Sequence, residues 1–153
     1  MTRPIDAIAM LSAEHEEVKT MFAQYSTLGE HANAAKKKLA DQICAALTLH
    51  ATIEEEIFYP ALRAASKDAA DLLDEAQVEH ASAKDLIAQI EEMDPEDDLY
   101  DAKVKVLGAQ VAHHVGEEEG NMFPKADKCK LDLVALGGEM AMRKDELAAT
   151  LTL

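Results

Sequence analysis

Two short stretches carry the residues of this chain that are best suited to hold a cation. Both read His-x-x-x-Glu-Glu, the first starting at His50 and the second at His114, and an aromatic residue and a proline follow in each. Residues four positions apart lie one above the other on one face of an α-helix. Each stretch therefore presents an imidazole beside a carboxylate, which is a ligand pair for a cation, formed twice.

The two stretches belong to a longer internal repeat. The histidine, the first glutamate and the proline of the first copy each precede their counterparts by 64 positions. Further upstream, Glu14-His15 matches Glu79-His80 at an offset of 65, and in both a lysine follows the histidine by four positions. The first predicted helix thus corresponds to the third and the second to the fourth. Two helical hairpins related by a pseudo-twofold axis form a four-helix bundle.

Composition and periodicity agree with an all-α fold. The chain of 153 residues is 48% hydrophobic and 29% charged, with only 6 glycines and 4 prolines, a balance that favours helices. Apolar residues recur at steps of three and four around each repeated histidine. We predict one domain over 1–153, an antiparallel up-down four-helix bundle of two repeated hairpins at about 4–126, with an additional C-terminal helix at about 131–151.

Local signals predict where the helices begin and end. Pro60 and Pro124 are expected to end or kink the second and fourth helices, because proline lacks the N–H that an α-helix needs. Asp94-Pro95 is expected to start the fourth helix, and Tyr100 to lie on the solvated surface. The C-terminal helix carries no polar residue to which chemistry is assigned.

Six polar residues are predicted to meet on the bundle axis. They are His15, His50, Glu54, His80, His114 and Glu118. Burying them without partners costs about 3 kcal/mol each, whereas a shared metal centre satisfies them together. Imidazole and carboxylate suit iron, manganese or zinc. Six ligands exceed the needs of one tetrahedral zinc ion, so we expect two metals with bridging carboxylates, and two octahedral ions then retain positions for a small ligand.

Four neighbours of these residues are candidates for supporting contacts. Glu55 and Glu119 each follow a ligand glutamate by one position and point about 100° away on a helix, toward solvent or toward the ligands. His113 falls outside the repeat register, so it belongs to the surface or to the surroundings of the site. Tyr59 is expected to be a core aromatic residue, with the approach of its hydroxyl to the metals as the alternative.

The paired motifs resemble the hemerythrin-like, HHE cation-binding family, over about residues 11–126. The resemblance implies a non-haem di-iron centre, bridged by an oxo or hydroxo group and held by the six residues named above, with manganese or zinc as substitutes. The oxygen-carrying hemerythrins have His-x-x-x-His on the third helix, where this chain has His80 and Lys84, and His-x-x-x-x-Asp on the fourth, where it has His114 and Glu118. The set of four histidines and two glutamates is similar to members linked to peroxide or nitric oxide handling.

We therefore expect catalase-like turnover of a small oxidant such as hydrogen peroxide, in defence against oxidative or nitrosative stress. The alternatives are a non-catalytic protein that binds or senses oxygen or nitric oxide, and an iron buffer. A net charge of −15 disfavours nucleic acids and anionic membranes. The first helix carries Asp6, Glu14 and His15 where a signal peptide would be apolar, so we expect a cytoplasmic protein, monomeric or dimeric, whose partner is a diatomic molecule or peroxide.

Overall fold

The first hairpin consists of helix α1, Ala7–Ser26, and helix α2, Asn33–Ile53. The structure is a computed structural model and describes residues 6–151. At the start of α1, the Asp6 carboxylate accepts a hydrogen bond from the Ala9 N–H at 2.8 Å, which satisfies one of the free N–H groups of the first turn. The predicted start of the bundle at residue 4 lies outside the described residues.

A π-helical turn, Glu54–Phe58, follows α2 and leads directly into α3, Tyr59–Ala65. A single 3₁₀ turn, Lys67–Ala69, then precedes the second hairpin. Its two long helices are α4, Ala70–Glu92, and α5, Tyr100–Glu117.

The end of α5 repeats the end of α2. A second π-helical turn, Glu118–Met122, leads into α6, Phe123–Lys128. Helix α7, Leu133–Leu151, completes the described chain, and no strand occurs among residues 6–151.

The long helices pack as an antiparallel bundle. Within each hairpin α1 contacts α2 and α4 contacts α5, whereas α2 against α4 and α1 against α5 join the two hairpins. Helix α7 packs against α1 and α2 on the outside of the first hairpin. The predicted all-α bundle of two repeated hairpins with an additional helix is confirmed.

A polar layer divides the apolar core into two clusters. On α1, Leu11 belongs to the cluster near the π turns and Val18 to the cluster at the other end, with His15 between them. On α2, Leu47 and Ile53 stand on the two sides of the layer in the same way. Each helix thus contributes apolar residues to both clusters and polar residues to the layer, and the packing of both clusters holds the layer in place.

The prolines do not end their helices. Helical conformation continues past Pro60 to Ala65 and past Pro124 to Lys128. The reason lies in the π turns, where the N–H of Tyr59 bonds to the carbonyl of Glu54, five residues earlier. Each proline comes in the first turn after the wider turn, where its missing N–H is tolerated.

The fourth helix also starts later than the sequence predicts. Asp94 and Pro95 lie in a turn, and α5 begins only at Tyr100. Leu99 adopts a left-handed conformation, with φ of 75°, and its side chain is exposed. The chain can then direct Tyr100 inward, where its side chain is fully buried against Val104 and Leu107. The expectation that Tyr100 lies on the surface is wrong, because it is the first residue of the apolar stripe of α5.

Candidate metal centre

The polar layer brings all six predicted ligand residues together. They form two groups that share Glu54. One contains His15, His50, Glu54 and Glu118, and the other contains Glu54, His80 and His114. Within each group the candidate ligand atoms lie within 4.8 Å of one another. The arrangement offers two adjacent positions for cations, one beside each pair of histidines.

The two glutamates stand between the histidine pairs. Glu54 Oε1 lies 3.2 Å from His50 Nε2 and also 3.2 Å from His80 Nε2. Both glutamate side chains are completely buried. Each carboxylate faces one imidazole from the first hairpin and one from the second, a position from which it could bridge two ions.

Glu118 completes this arrangement with one oxygen directed to each side. Its Oε1 lies 3.0 Å from His15 Nε2, and its Oε2 lies 3.1 Å from His114 Nε2. The ring centroids of the paired histidines are 4.9 Å apart in both halves. The internal repeat of the sequence therefore appears as a pseudo-twofold arrangement of the site.

A second ring of carboxylates holds the other nitrogen of every histidine. The Nδ1 atom of His15 donates to Glu119 and that of His50 donates to Glu14, both at 2.7 Å. The Nδ1 atom of His80 donates to Glu55 at 2.6 Å, and that of His114 donates to Glu79 at 2.7 Å. A carboxylate can only accept, so each of these bonds places the proton on Nδ1. The Nε2 lone pairs are then left to face the centre, as in metal sites whose ligand histidines are oriented by an outer carboxylate.

Several inward-facing atoms have no hydrogen-bond partner. Among residues 6–151, the buried and unsatisfied side-chain atoms are His15 Nε2, His50 Nε2, both oxygens of Glu54, Glu118 Oε1 and the Tyr100 hydroxyl. All but the last belong to the layer. Buried polar atoms are rarely left unpaired, because their desolvation is not repaid. The donor set therefore fits cations bound between the helices, since an ion supplies the missing partner for these atoms.

The electrostatics of the layer also favour a positive charge. Burial alone lowers the pKa of His114, yet the carboxylates of Glu118 and Glu54 raise it to about 9. Burial raises the pKa of Glu118, but the imidazoles of His114 and His15 hold it well below its usual range. The carboxylates of Glu118 and Glu54 thus favour a positive charge at His114, which a metal cation can supply in place of a proton.

The structure separates the four candidate neighbours. Glu55 and Glu119 contact ligand histidines, as described above, and the Tyr59 hydroxyl lies among His80, His114 and Glu118. The His113 side chain is 67% exposed, and its Nε2 lies 3.5 Å from the outer carboxylate of Glu79 and 3.9 Å from the carboxylate of Glu117. It belongs to the surface.

Two of the outer carboxylates and one lysine near the site were not predicted from the sequence. Glu14 and Glu79 each precede a candidate ligand histidine in the sequence, but each contacts the histidine of the next long helix. Their presence in both copies of the repeat was the available signal. Lys144 of α7 contacts Glu14 at 2.8 Å, and no pattern in the sequence connects that helix with the site.

A small cavity adjoins the imidazoles on the side away from the π turns. Its volume is about 50 Å³, room for a ligand of a few atoms but not for a larger organic molecule. The apolar part of its wall comes from all four long helices, through Val18, Leu47, Ile87 and Val111. These side chains limit the access of water to the histidines.

Known proteins resemble this chain in structure or in sequence. A hemerythrin HHE cation binding domain-containing protein from Mycobacterium kansasii has a crystal structure that matches with a TM-score of 0.82 and 24% identity, over 95% of this chain and 89% of that one. A DNA nickase from Nostoc sp. (strain PCC 7120) is 29% identical over 118 residues, which are 74% of this chain but only 31% of the nickase. The family model of the hemerythrin HHE cation binding domain matches residues 6–126. The chain belongs to the hemerythrin HHE cation-binding family and is a metal-binding protein of that family.

Proposed function

We propose that this protein holds a non-haem di-iron centre, bridged by an oxo or hydroxo group, that reacts with a small oxidant such as hydrogen peroxide. The observation that supports this most strongly is the convergence of six buried ligand residues, with unpaired nitrogen and oxygen atoms facing the same space. Nitrogen and oxygen ligands suit iron, and they also accept manganese or zinc.

The geometry suggests how the ligands divide. His15 and His50 hold one ion, and His80 and His114 hold the other, because the paired rings are close neighbours in each half. Glu54 and Glu118 are shared, since each faces imidazoles of both hairpins. If each ion were held by two imidazoles and by the shared carboxylates, coordination positions would remain for a small exogenous ligand.

The proposed substrate class follows from the cavity and from the ligand set. Bound iron supplies a pair of redox-active ions that exchanges two electrons with a small oxidant. The apolar wall of the cavity admits molecules of the size of peroxide, oxygen or nitric oxide and excludes larger ones. The third helix has Lys84 where the oxygen carriers have a second histidine. The resulting symmetry of the ligands favours turnover of peroxide over reversible carriage of oxygen.

The test is oxygen evolution from hydrogen peroxide by iron-loaded protein. We expect two irons per chain by elemental analysis and sustained oxygen release. His50→Ala should lose both, and His113→Ala, which alters an exposed neighbour of the site, should keep both. One metal per chain in fully loaded protein would contradict the dinuclear centre. Reversible oxygen or nitric oxide binding without consumption of peroxide would instead support the binding or sensing alternative.

The charge of the chain and the character of its helices bear on partners other than a small molecule. A net charge of −15 opposes contact with a phosphate backbone, so we expect neither nucleic-acid binding nor cleavage from this chain. Between residues 6 and 151 no helix combines the length and the apolar character that a membrane crossing requires. We expect a cytoplasmic protein that acts as a monomer or dimer.

A further inference from the structure

We propose that Lys84 and Lys144 raise the reduction potential of the metal centre by neutralising the outer carboxylates that hold His80 and His50. This inference rests on the proposed di-iron centre and concerns the balance between its oxidised and reduced states. Each lysine contacts an outer carboxylate, and through it an imidazole. Both are therefore positioning residues and not ligands.

The first of these contacts lies beside His80. Lys84 Nζ lies 2.5 Å from Glu55 Oε1, and the other oxygen of the same carboxylate accepts the Nδ1 proton of His80 at 2.6 Å. The Lys84 side chain is 50% exposed and that of Glu55 is 32% exposed. Because water screens the charge of such a pair, the ammonium group acts on the centre mainly through the carboxylate that it holds.

The second contact is made by α7. Lys144 Nζ lies 2.8 Å from Glu14 Oε2, and Glu14 Oε1 accepts the Nδ1 proton of His50 at 2.7 Å. The Glu14 side chain is only 9% exposed, so water screens this pair less than the pair of Lys84 and Glu55. We therefore expect Lys144 to have the larger effect of the two.

The two lysines are divided evenly between the proposed ions. His50 belongs to one ion and His80 to the other, and both imidazoles lie 3.2 Å from the same oxygen of Glu54. Among residues 6–151, the carboxylates behind the other two histidines, Glu119 and Glu79, form no ion pair with a lysine or an arginine. Each ion thus has one histidine held by a neutralised carboxylate and one held by a carboxylate that keeps its charge.

The internal repeat does not produce this division. Lys19 is the counterpart of Lys84, four positions after His15, but its side chain is exposed. Within the described part of the chain, no ion pair joins Lys19 to Glu119, the counterpart of Glu55. The second cation comes instead from α7, which lies outside the repeat, and it contacts a different carboxylate. Two unrelated elements therefore bring one lysine to each ion.

Neutralising an outer carboxylate changes how strongly the imidazole binds the metal. A carboxylate that accepts the Nδ1 proton makes the imidazole a more basic ligand, which stabilises the oxidised, more highly charged ion. An ammonium group on the same carboxylate weakens this effect and adds a positive charge near the ion. Both changes favour the reduced state, so each lysine raises the midpoint potential.

The test is a spectroelectrochemical titration of the iron-loaded protein, with the iron content measured for every sample. Lys84→Met and Lys144→Met replace the ammonium group by an uncharged side chain. Each variant should keep two irons per chain and show a lower midpoint potential, with the larger decrease in Lys144→Met. A tenfold change in favour of the oxidised ion corresponds to about 59 mV for a one-electron couple.

Three further variants separate the charge from the packing of the side chain. Lys84→Arg and Lys144→Arg keep the positive charge and should retain the wild-type potential. Lys19→Met removes the same charge from the exposed counterpart of Lys84 and should also retain it. A purely structural role for the two lysines would not produce a decrease that arginine prevents while two irons stay bound.

The two proposals fail in different ways. A wild-type chain that binds fewer than two irons would overturn the centre and this inference with it. Two irons per chain and an unchanged potential in the two methionine variants would overturn the role of the lysines and leave the di-iron centre standing. An equal decrease in Lys19→Met or in the arginine variants would overturn it as well. Lys84 and Lys144 lie on different helices, so if one methionine variant fails to bind iron, the other decides.

Discussion

At the level of single residues, the outer carboxylates link helices both within each hairpin and between the two hairpins. Glu14 and Glu79 each bind a histidine within their own hairpin, whereas Glu55 and Glu119 reach a histidine of the other hairpin. Every imidazole is thus fixed by a residue from a different helix. The orientation of the inner ligands therefore depends on the packing of all four long helices.

We expect Glu79→Ala to weaken metal binding by about 10- to 100-fold. The substitution removes the acceptor that holds the Nδ1 proton of His114, so the ring loses its fixed orientation and its Nε2 lone pair is no longer aimed at the metal. The loss of a negative charge near the cation acts in the same direction. Competition with a chelator measures the change in affinity.

Glu75→Ala is the matched control for this prediction. It removes the same charge from an exposed position one turn earlier on α4 and should leave the affinity unchanged. Equal affinities for Glu79→Ala and the wild type would mean that the outer carboxylate does not orient His114.

The residues that the sequence predicts well are those related by helical spacing. His50 and Glu54 share a helix face, and the repeat identifies their counterparts. The six candidate ligand residues could therefore be predicted from one sequence. Glu14 was not assigned because its partner, His50, lies on another helix. Such a contact depends on how two helices are rotated against each other, which periodicity does not determine.

At the level of elements, the two π turns are what the sequence did not predict. Each π turn begins at a proposed ligand glutamate. It contains one residue more than the corresponding turn of an α-helix. The proline in the following turn was expected to end or kink the helix, whereas helical conformation continues past it after the wide turn. Apolar periodicity over one turn is too short to reveal an inserted residue, yet this residue sets the direction of Tyr59.

Helix α7 is a second element whose role became visible only in the structure. Arg143 contacts both carboxylate oxygens of Glu56, at 3.0 and 3.1 Å, and Lys144 contacts Glu14 at 2.8 Å. The Glu14 side chain is only 9% exposed, so its partners matter more than those of a surface carboxylate. Because Glu14 contacts both Lys144 of α7 and the imidazole of His50, the position of α7 affects a carboxylate that orients His50.

We expect Lys144→Ala to destabilise the metal-loaded protein by about 1 kcal/mol, at the upper end for ion pairs near the surface, because Glu14 stays buried with one partner fewer. Hydrogen exchange in α7 should accelerate, since the helix loses a docking contact. Urea unfolding and exchange monitored by mass spectrometry measure the two effects. Lys38→Ala removes an exposed lysine of α2 and should change neither, and unchanged exchange in α7 after Lys144→Ala would argue against the docking role.

At the level of the whole molecule, the polar layer interrupts the core of a bundle that apolar packing otherwise stabilises. The all-helical bundle was predictable, because two copies of a helical pattern with a buried stripe leave few alternatives. The positions of the helix ends and of α7 were less predictable, since they depend on contacts between elements. The layer itself carries two fully buried carboxylates, which the rest of the fold must stabilise.

Metal loading should therefore raise the stability of the whole chain. Cations that bind only the native state stabilise it by mass action, by about 2.7 kcal/mol when free metal reaches a hundred times its dissociation constant. For a chain of this length that corresponds to an increase in Tm of about 5 to 10 °C. Calorimetry of metal-free and iron-loaded protein measures the difference. His50→Ala should lose most of it and His113→Ala should retain it. Equal Tm values for the metal-free and loaded wild type would mean that the layer is stable without its ions, and that the unpaired atoms of Glu54 have found other partners.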